Sequence, residues 1–340
     1  MNSRILIKET PKDKEDIRYI LEHSADATIF HTSEWNDLVS KEFGVTHKTL
    51  IAKIDSTPLG MYTFFIDSMG LFNRIKSSLR EADSIYGGPI TVDNLENKKE
   101  VVKKLVTQVK ENQVEYYKIY PPPNYNIELL KSLSYKCRKL FTAICRLAGS
   151  EEELWNKIDS KRRNLVRKAQ TNKVKVVDGN LSFIDSYYQM LCEVLKKIGK
   201  TPFPKSYYHL VLQQFTQKGW VKFLVALHQE KPIAGAIFLC FKDTVYYWSG
   251  ASFREYGNLS PNDLIQWEII RWARVNQYKY YDLVMIEQER LPGIAHFKLG
   301  FGGELVPIYE AIKHTPLGET KKVIKALSNP IQTVRKIKKL

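Results

Sequence analysis

Residues 220–252, WVKFLVALHQEKPIAGAIFLCFKDTVYYWSGAS, read as three strands at hairpin spacing, with short polar turns at Glu-Lys-Pro and Lys-Asp. Apolar runs of this length, rich in β-branched and aromatic residues, form an antiparallel meander. The stretch LSPNDLIQWEIIRWA (259–273) follows as a long helix, and KYYDLVMI (279–286) as a further strand. Ser260 sits at the expected N-cap, Pro261 at the first helical position and Asp263 three residues after the cap. At about 100° per residue, Leu264, Ile265, Ile269 and Trp272 share one face with Glu268 in its middle. A carboxylate on an apolar stripe needs a partner.

The first half repeats this order. TLIAKIDSTPLGMYTFFI (49–66) contains two β-rich runs around a Ser-Thr-Pro turn, and IYGGPI (85–90) is turn-like. A helical pattern covers about 96–113, and VEYYKIYPPP (114–123) is a strand halted by three prolines. Both halves therefore read β-β(-β)-α-β, an internal duplication that residue identity between the halves does not carry. The expected class is α/β, with two tandem domains each built on a mixed, mostly antiparallel sheet flanked by helices. A length of 340 residues agrees with two domains.

Hydrophobic residues at 44% and aromatics at 12% exclude a disordered chain. The net charge of +15 favours an anionic partner such as nucleic acid, a phosphorylated substrate or an anionic membrane. Cys137, Cys145, Cys192 and Cys240 include no C-x-x-C, and the seven histidines form no close-spaced set, so no metal is expected. The opening MNSRILIKETPKDKED lacks the apolar stretch of a signal peptide, and AGAIFLCF (234–241) is too short to span a bilayer, which together point to the cytoplasm. From Lys313 to Leu340 eight Lys or Arg stand against one acid, with Ile324, Leu327, Ile331, Val334 and Ile337 at helical spacing. This tail either docks on the body by its apolar face or lies peripherally on an anionic membrane or RNA.

Three segments together resemble the Fem family: SEEELWNKIDSKRRNLVRKAQTNKVKV (150–176), the run from YYWSGAS through LSPNDLIQWEIIRWA to YYDL (246–283), and HFKLGFGGELV (296–306), which is similar to the family's Phe-Lys-x-x-Phe-Gly signature. FHTSEWNDLVSKEFG around Trp35 and YGGPITVDNLEN (86–97) extend the resemblance over nearly the whole chain. It implies twin GNAT-like (acyltransferase-like) domains, a first one of residues 1–146 plus 311–340 and a second of 147–310, in a short form without a helical arm. It also implies an aminoacyltransferase that uses aminoacyl-tRNA as donor, no bound cofactor, and a phosphorylated or lipid-linked peptidoglycan or related envelope precursor as acceptor. Two departures leave the acceptor class open: Tyr120 precedes Pro121 where the family often has an acid, and KKIGKTPFPKSYY (196–208) is similar to relatives linked to surface polysaccharide.

An aminoacyl ester is already activated, so its transfer to an amine needs orientation, removal of a proton and stabilisation of a tetrahedral oxyanion. Lys298, a cation at a glycine-rich turn beside Phe297, suits the last task, and the resemblance implies a catalytic role for it. Glu268 is a candidate proton acceptor raised in pKa by burial, or else one half of a structural ion pair. His296, two residues before Lys298, could pass a proton. Arg254-Glu-Tyr-Gly257 lies between strand and helix, where acyl-CoA transferases hold pyrophosphate, but Leu259 stands where they want Gly or Ala. Lys205 is a candidate for a substrate phosphate, and Tyr247, facing opposite Tyr246 and Trp248, for the acceptor cleft. Lys161, Arg162, Arg163, Arg167 and Lys168 place five cations within two helical turns, where one face could follow tRNA phosphates, each adding about 0.7–0.9 to the log–log salt slope. Two rival functions keep this composition: an acyl-CoA-dependent N-acyltransferase for an amino sugar or peptide of a surface polysaccharide, and a non-catalytic protein that binds RNA or anionic lipid.

Overall fold

A computed structural model describes residues 5–9, 14–79 and 82–328. The chain divides into two compact units, Met1–Lys139 with Ile308–Leu340, and Leu140–Pro307. The divisions at Lys139 and Ile308 fall inside strands, where the sequence reading put them at 146 and 311.

Elements run along the chain as β1 (Leu6–Glu9), α1 (Lys14–His23), a 3₁₀ turn (Ile29–His31), α2 (Ser33–Phe43), β2 (Thr46–Ile54), β3 (Thr57–Met69), β4 (Phe72–Lys76), β5 (Ile90–Thr91), α3 (Lys98–Gln108), β6 (Val114–Ile119) and α4 (Glu128–Ser132). The strand β7 (Lys136–Arg146) leads to α5 (Glu151–Lys157), α6 (Ser160–Thr171), β8 (Lys175–Asp178), α7 (Ile184–Lys197), α8 (Lys205–Phe215), β9 (Val221–His228), β10 (Lys231–Phe241), β11 (Thr244–Ser252), α9 (Pro261–Val275), β12 (Tyr280–Ile286) and α10 (Pro292–Leu299). Finally β13 (Glu304–His314) and α11 (Pro316–Ser328) belong largely to the first unit.

The two sheets share one topology. In the first the order is β1-β2-β3-β4-β6-β13, antiparallel throughout except for the parallel pair β4–β6, with β5 pairing β3. In the second it is β8-β9-β10-β11-β12-β7, antiparallel except for β11–β12. Each parallel pair is joined through one crossover helix, α3 or α9, because parallel neighbours need a long return connection. The duplication is thus present in strand order, and each unit has the expected mixed sheet with helices on it.

Cores form where these helices meet the sheets. Val101, Leu105, Tyr62, Phe64, Ile75 and Ile119 pack together in the first unit, and Leu264, Ile269, Phe238, Tyr281, Leu283 and Val166 in the second. Helix α8 is an element that the sequence reading did not assign. Pro204 stands at its N-cap, and Tyr207, Tyr208, Val211, Leu212 and Phe215 are buried at helical spacing. The helix expected over 96–113 is shorter, because Val109 is extended after Gln108. In the tail, Lys321 of α11 pairs with Glu115. Ile331, Val334 and Ile337, on which the expected membrane contact rests, lie outside the described residues.

His31 is buried, receives the Thr28 N–H on Nδ1 at 3.2 Å and meets Thr28 Oγ1 at 2.8 Å. Burial pushes its pKa down to about 4, against a smaller opposing pull from Asp26. The unfolded chain therefore binds more protons between the ordinary histidine value and 4, and stability falls as pH is lowered through that window. The expected loss is about 3 kcal/mol, read from urea unfolding between pH 7 and 4. His31→Phe should flatten the dependence.

Candidate active site

The parallel strands of the second unit part company. β11 and β12 pair only through Thr244↔Tyr280, Val245↔Tyr281 and Tyr246↔Asp282. Beyond that point β11 stays with β10 and β12 stays with β7, so six residues of one strand and four of the other leave a mouth between them. Local features hold it open. β12 shifts register between Asp282 and Met285, with Val284 at φ 53°. A β-branched residue is strained there and needs the surroundings to hold it. The buried Asp282 carboxylate does so by accepting the Val284 N–H at 2.8 Å and the Thr142 hydroxyl at 2.5 Å. On β11 a register shift leaves Trp248 as the extra residue, and Trp248 packs on Tyr207 and Tyr208 of α8.

Lys298 bridges this mouth. It is 8% exposed, its Nζ donates to the Met285 carbonyl of β12 at 3.1 Å, and the same Nζ stands 5.8 Å from the centre of the Tyr247 ring on β11. The ring attracts the cation, and its phenol stays protonated because burial pushes its pKa up to about 12. Gly250 makes room for it: a Cβ there would lie 2.2 Å from the Tyr247 hydroxyl oxygen. Gly250→Ala should therefore push the ring away from Lys298 and lower the melting temperature by a few degrees, as an overpacked core does.

Lys298 does not sit in the expected glycine-rich turn. It belongs to helix α10, which Pro292 starts and Gly300 ends, with the Gly300 N–H donating to the His296 carbonyl at 3.2 Å. Two helical residues point about 200° apart, so the exposed His296 faces away from Lys298 and is not its proton carrier. Phe297 is half-buried against Phe301, with ring centres 5.3 Å apart.

The five cations of α6 do not share one face. Arg162 turns inward, its Nη1 3.0 Å from Asp263 Oδ1 and its guanidinium 5.1 Å from the centre of the Phe297 ring. Gly300 permits this approach, since a Cβ there would meet Arg162 Cγ at 2.8 Å. The Asp159 N–H, at the head of α6, donates to the Gly300 carbonyl at 2.9 Å. Arg162 thus braces α10, and its expected place among RNA contacts is corrected. Lys161 and Lys168 are exposed seven residues apart, on one face. Arg167 lies over Trp155 at 5.3 Å, and Arg163 donates to Asn156 Oδ1 at 3.0 Å.

Other candidates land elsewhere. Glu268 falls on the outer strip of α9 with Arg271, half-buried Trp272 and exposed Val275, and pairs with Arg271 at 3.2 Å. The expected apolar stripe is wrong because α9 is buried on most of its circumference, leaving this strip as its wet side. Its partner is on the same helix. Lys205 is exposed at the start of α8 and pairs with Asp185 at 2.6 Å. Ser260 holds the N-cap position in a left-handed conformation, φ 57°, without a side-chain cap bond. Asp263 serves Arg162 instead, its carboxyl raised in pKa by burial against the downward pull of that arginine. Arg254 is exposed and opens a 3₁₀ turn, Arg254–Leu259, rather than an open loop. Amides in and after it are used internally, Tyr256 N–H to Phe253 O at 3.3 Å and Ser260 N–H to Gly257 O at 3.2 Å.

Sequence reasoning missed Asp282, Thr142 and the carbonyl of Met285. The available signal was a carboxylate inside the apolar strand YYDLVMI. Among the described residues no three His, Cys, Asp or Glu gather as a metal site, and no helix is long and apolar enough to cross a membrane.

Residues 156–299 match the family model described as acetyltransferase (GNAT) domain. These residues form a GNAT-type acyltransferase domain. The parting parallel strands, Lys298 and the braced α10 all belong to this domain, and the expectation of an acyltransferase holds. The search of curated proteins found no match. Among solved structures, one of FemX covers 89% of this chain and 96% of its own at a TM-score of 0.71 and 14% identity. The C-terminal domain of a putative lysylphosphatidylglycerol synthetase from Agrobacterium fabrum covers 93% and 98% at 0.57 and 13% identity. A tandem GNAT protein from the clavulanic acid biosynthesis pathway covers 92% and 98% at 0.54 and 8% identity. The Fem-like resemblance holds in fold.

Proposed function

We propose that this GNAT-type protein is an aminoacyltransferase that moves an aminoacyl group from charged tRNA to an amine of a peptidoglycan or related envelope precursor. The observation that carries the reading is Lys298 bridging the parted strands. An amine attacking the ester carbonyl makes a tetrahedral oxyanion, and an ammonium held at fixed geometry in a largely buried mouth stabilises that charge. Collapse breaks the ester C–O bond, the amine gives up one proton and the departing ribose oxygen takes one, so no enzyme nucleophile is required. Neutral Tyr247 keeps the cation in place.

Several features favour tRNA over acyl-CoA as donor. The turn Arg254–Leu259 is coiled on itself, and the first turn of α9 already holds the Asp263 carboxylate, which opposes a pyrophosphate at that helix end. Lys161 and Lys168 present exposed charge on a chain of net charge +15. The resemblance to the Fem family implies such a donor, and the chain shares the fold of FemX. The acyl-CoA reading draws on the GNAT family match itself.

Melting temperature separates the two. Bulk tRNA at a hundred times its dissociation constant adds about 2.7 kcal/mol, a shift of a few degrees that high salt should erase. A shift with acetyl-CoA and none with tRNA would overturn the reading.

A further inference from the structure

The mouth opens where β12 carries one residue more than the strand beside it. Asp282 pairs with Ile144 of β7 and Met285 with Thr142, so Leu283 and Val284 together stand against the single Ala143. Such a β-bulge bends its strand and ends or re-aims the pairing beyond it. Both effects are present. Pairing with β11 stops at Asp282, the last residue before the bulge, and Met285, the first to pair with β7 after it, gives its carbonyl to Lys298 Nζ.

One carboxylate oxygen holds the bulge from both ends. Asp282 Oδ1 accepts the Val284 N–H, two residues on, as an aspartate does in an Asx turn, and also the hydroxyl of Thr142, which stands opposite Met285. The first bond supports the left-handed backbone of Val284, φ 53°, which a β-branched residue keeps only when its surroundings hold it. The second ties the strand beyond the bulge to β7. Asp282 and Thr142 are both buried, so water does not replace either bond when its acceptor is removed.

We propose that Asp282 is the positioning residue of Lys298: through Val284 and Thr142 it fixes the bulge that presents the Met285 carbonyl to the ammonium. It acts through β12 and not on substrate. The acceptor oxygen matters more than the negative charge, since both donors are neutral and share Oδ1. The effect on transfer rests on the reading of Lys298 as the cation that stabilises the oxyanion, whereas the effect on the place of Lys298 does not.

Two measurements on the folded full chain keep these apart: the rate at which trinitrobenzenesulfonate labels Lys298, followed by peptide mass spectrometry, and kcat for transfer. Asp282→Ala should speed the labelling at least about fivefold and lower kcat at least about tenfold, with little change in KM for the donor. Asp282→Asn keeps an oxygen for both donors and should stay within about threefold of the wild-type chain in both measurements. Glycine adopts a positive φ without strain, so adding Val284→Gly to Asp282→Ala should regain a large part of the protection and of the rate. A purely structural role would lower the melting temperature and leave labelling and kcat of the folded chain unmoved. If Asp282→Ala does not fold, the double variant and Thr142→Val, which loses one of the two bonds, decide in its place. Unchanged labelling of Lys298 without the Asp282 oxygen, or an Asp282→Asn chain that behaves as Asp282→Ala does, would overturn the proposal. A wild-type chain without transfer activity would overturn the reading of the mouth, and the labelling would still decide the role of Asp282.

Discussion

Lys298→Met lowers kcat for acyl transfer by about 10²–10³-fold while KM for the donor changes little, the signature of a group that acts on charge developing in the transition state. Methionine keeps an unbranched stem in the mouth and removes the ammonium. Met285 O loses its donor, so the melting temperature should drop by a few degrees without loss of the fold. Lys298→Arg restores a cation but not a compact one at the same place, and should recover only part of the rate. A Lys298→Met protein with unchanged kcat would remove the mouth from the chemistry.

Arg162→Ala carries the second large effect, and it falls on stability first. The pair with Asp263 is largely buried on both sides, and truncating one partner strands a carboxylate already raised in pKa by burial. Such a loss costs about 3 kcal/mol or more, visible as a lower urea midpoint. The double change Arg162→Met with Asp263→Leu removes both charges and should recover most of that stability. It should not recover transfer fully, because Arg162 also lies on Phe297, one residue from Lys298. For the same reason Arg162→Ala should leave the salt slope of tRNA binding unchanged, whereas Lys161→Ala with Lys168→Ala should reduce it.

The fold was legible where period and turn chemistry agree. The meander at 220–252, the proline-started helix at Pro261 and the strand holding Asp282 all follow from local pattern, and strand order then shows the duplication that residue identity hides. Helix α8 was not assigned from the sequence, although Tyr207, Tyr208 and Val211 recur at helical spacing and are buried. Lys298 is singled out by motif and resemblance, but its setting is not, since the Met285 carbonyl and the Tyr247 ring reach it from strands outside its own helix. Arg162 and Glu268 show the same limit from the other side. Spacing assigns a residue to a helix and even to a face, while the neighbour waiting there, Asp263 or Arg271, depends on tertiary packing.

The most direct measurement is single-turnover loss of the ester from aminoacyl-tRNA in the presence of a pooled envelope-precursor fraction, with acetyl-CoA consumption followed in parallel. The expected result is acceptor-dependent discharge of the tRNA by the wild-type chain, discharge at least about 10²-fold slower with Lys298→Met, and no consumption of acetyl-CoA. Acceptor-dependent release of CoA with intact aminoacyl-tRNA, or equal discharge by the Lys298→Met chain, would contradict it.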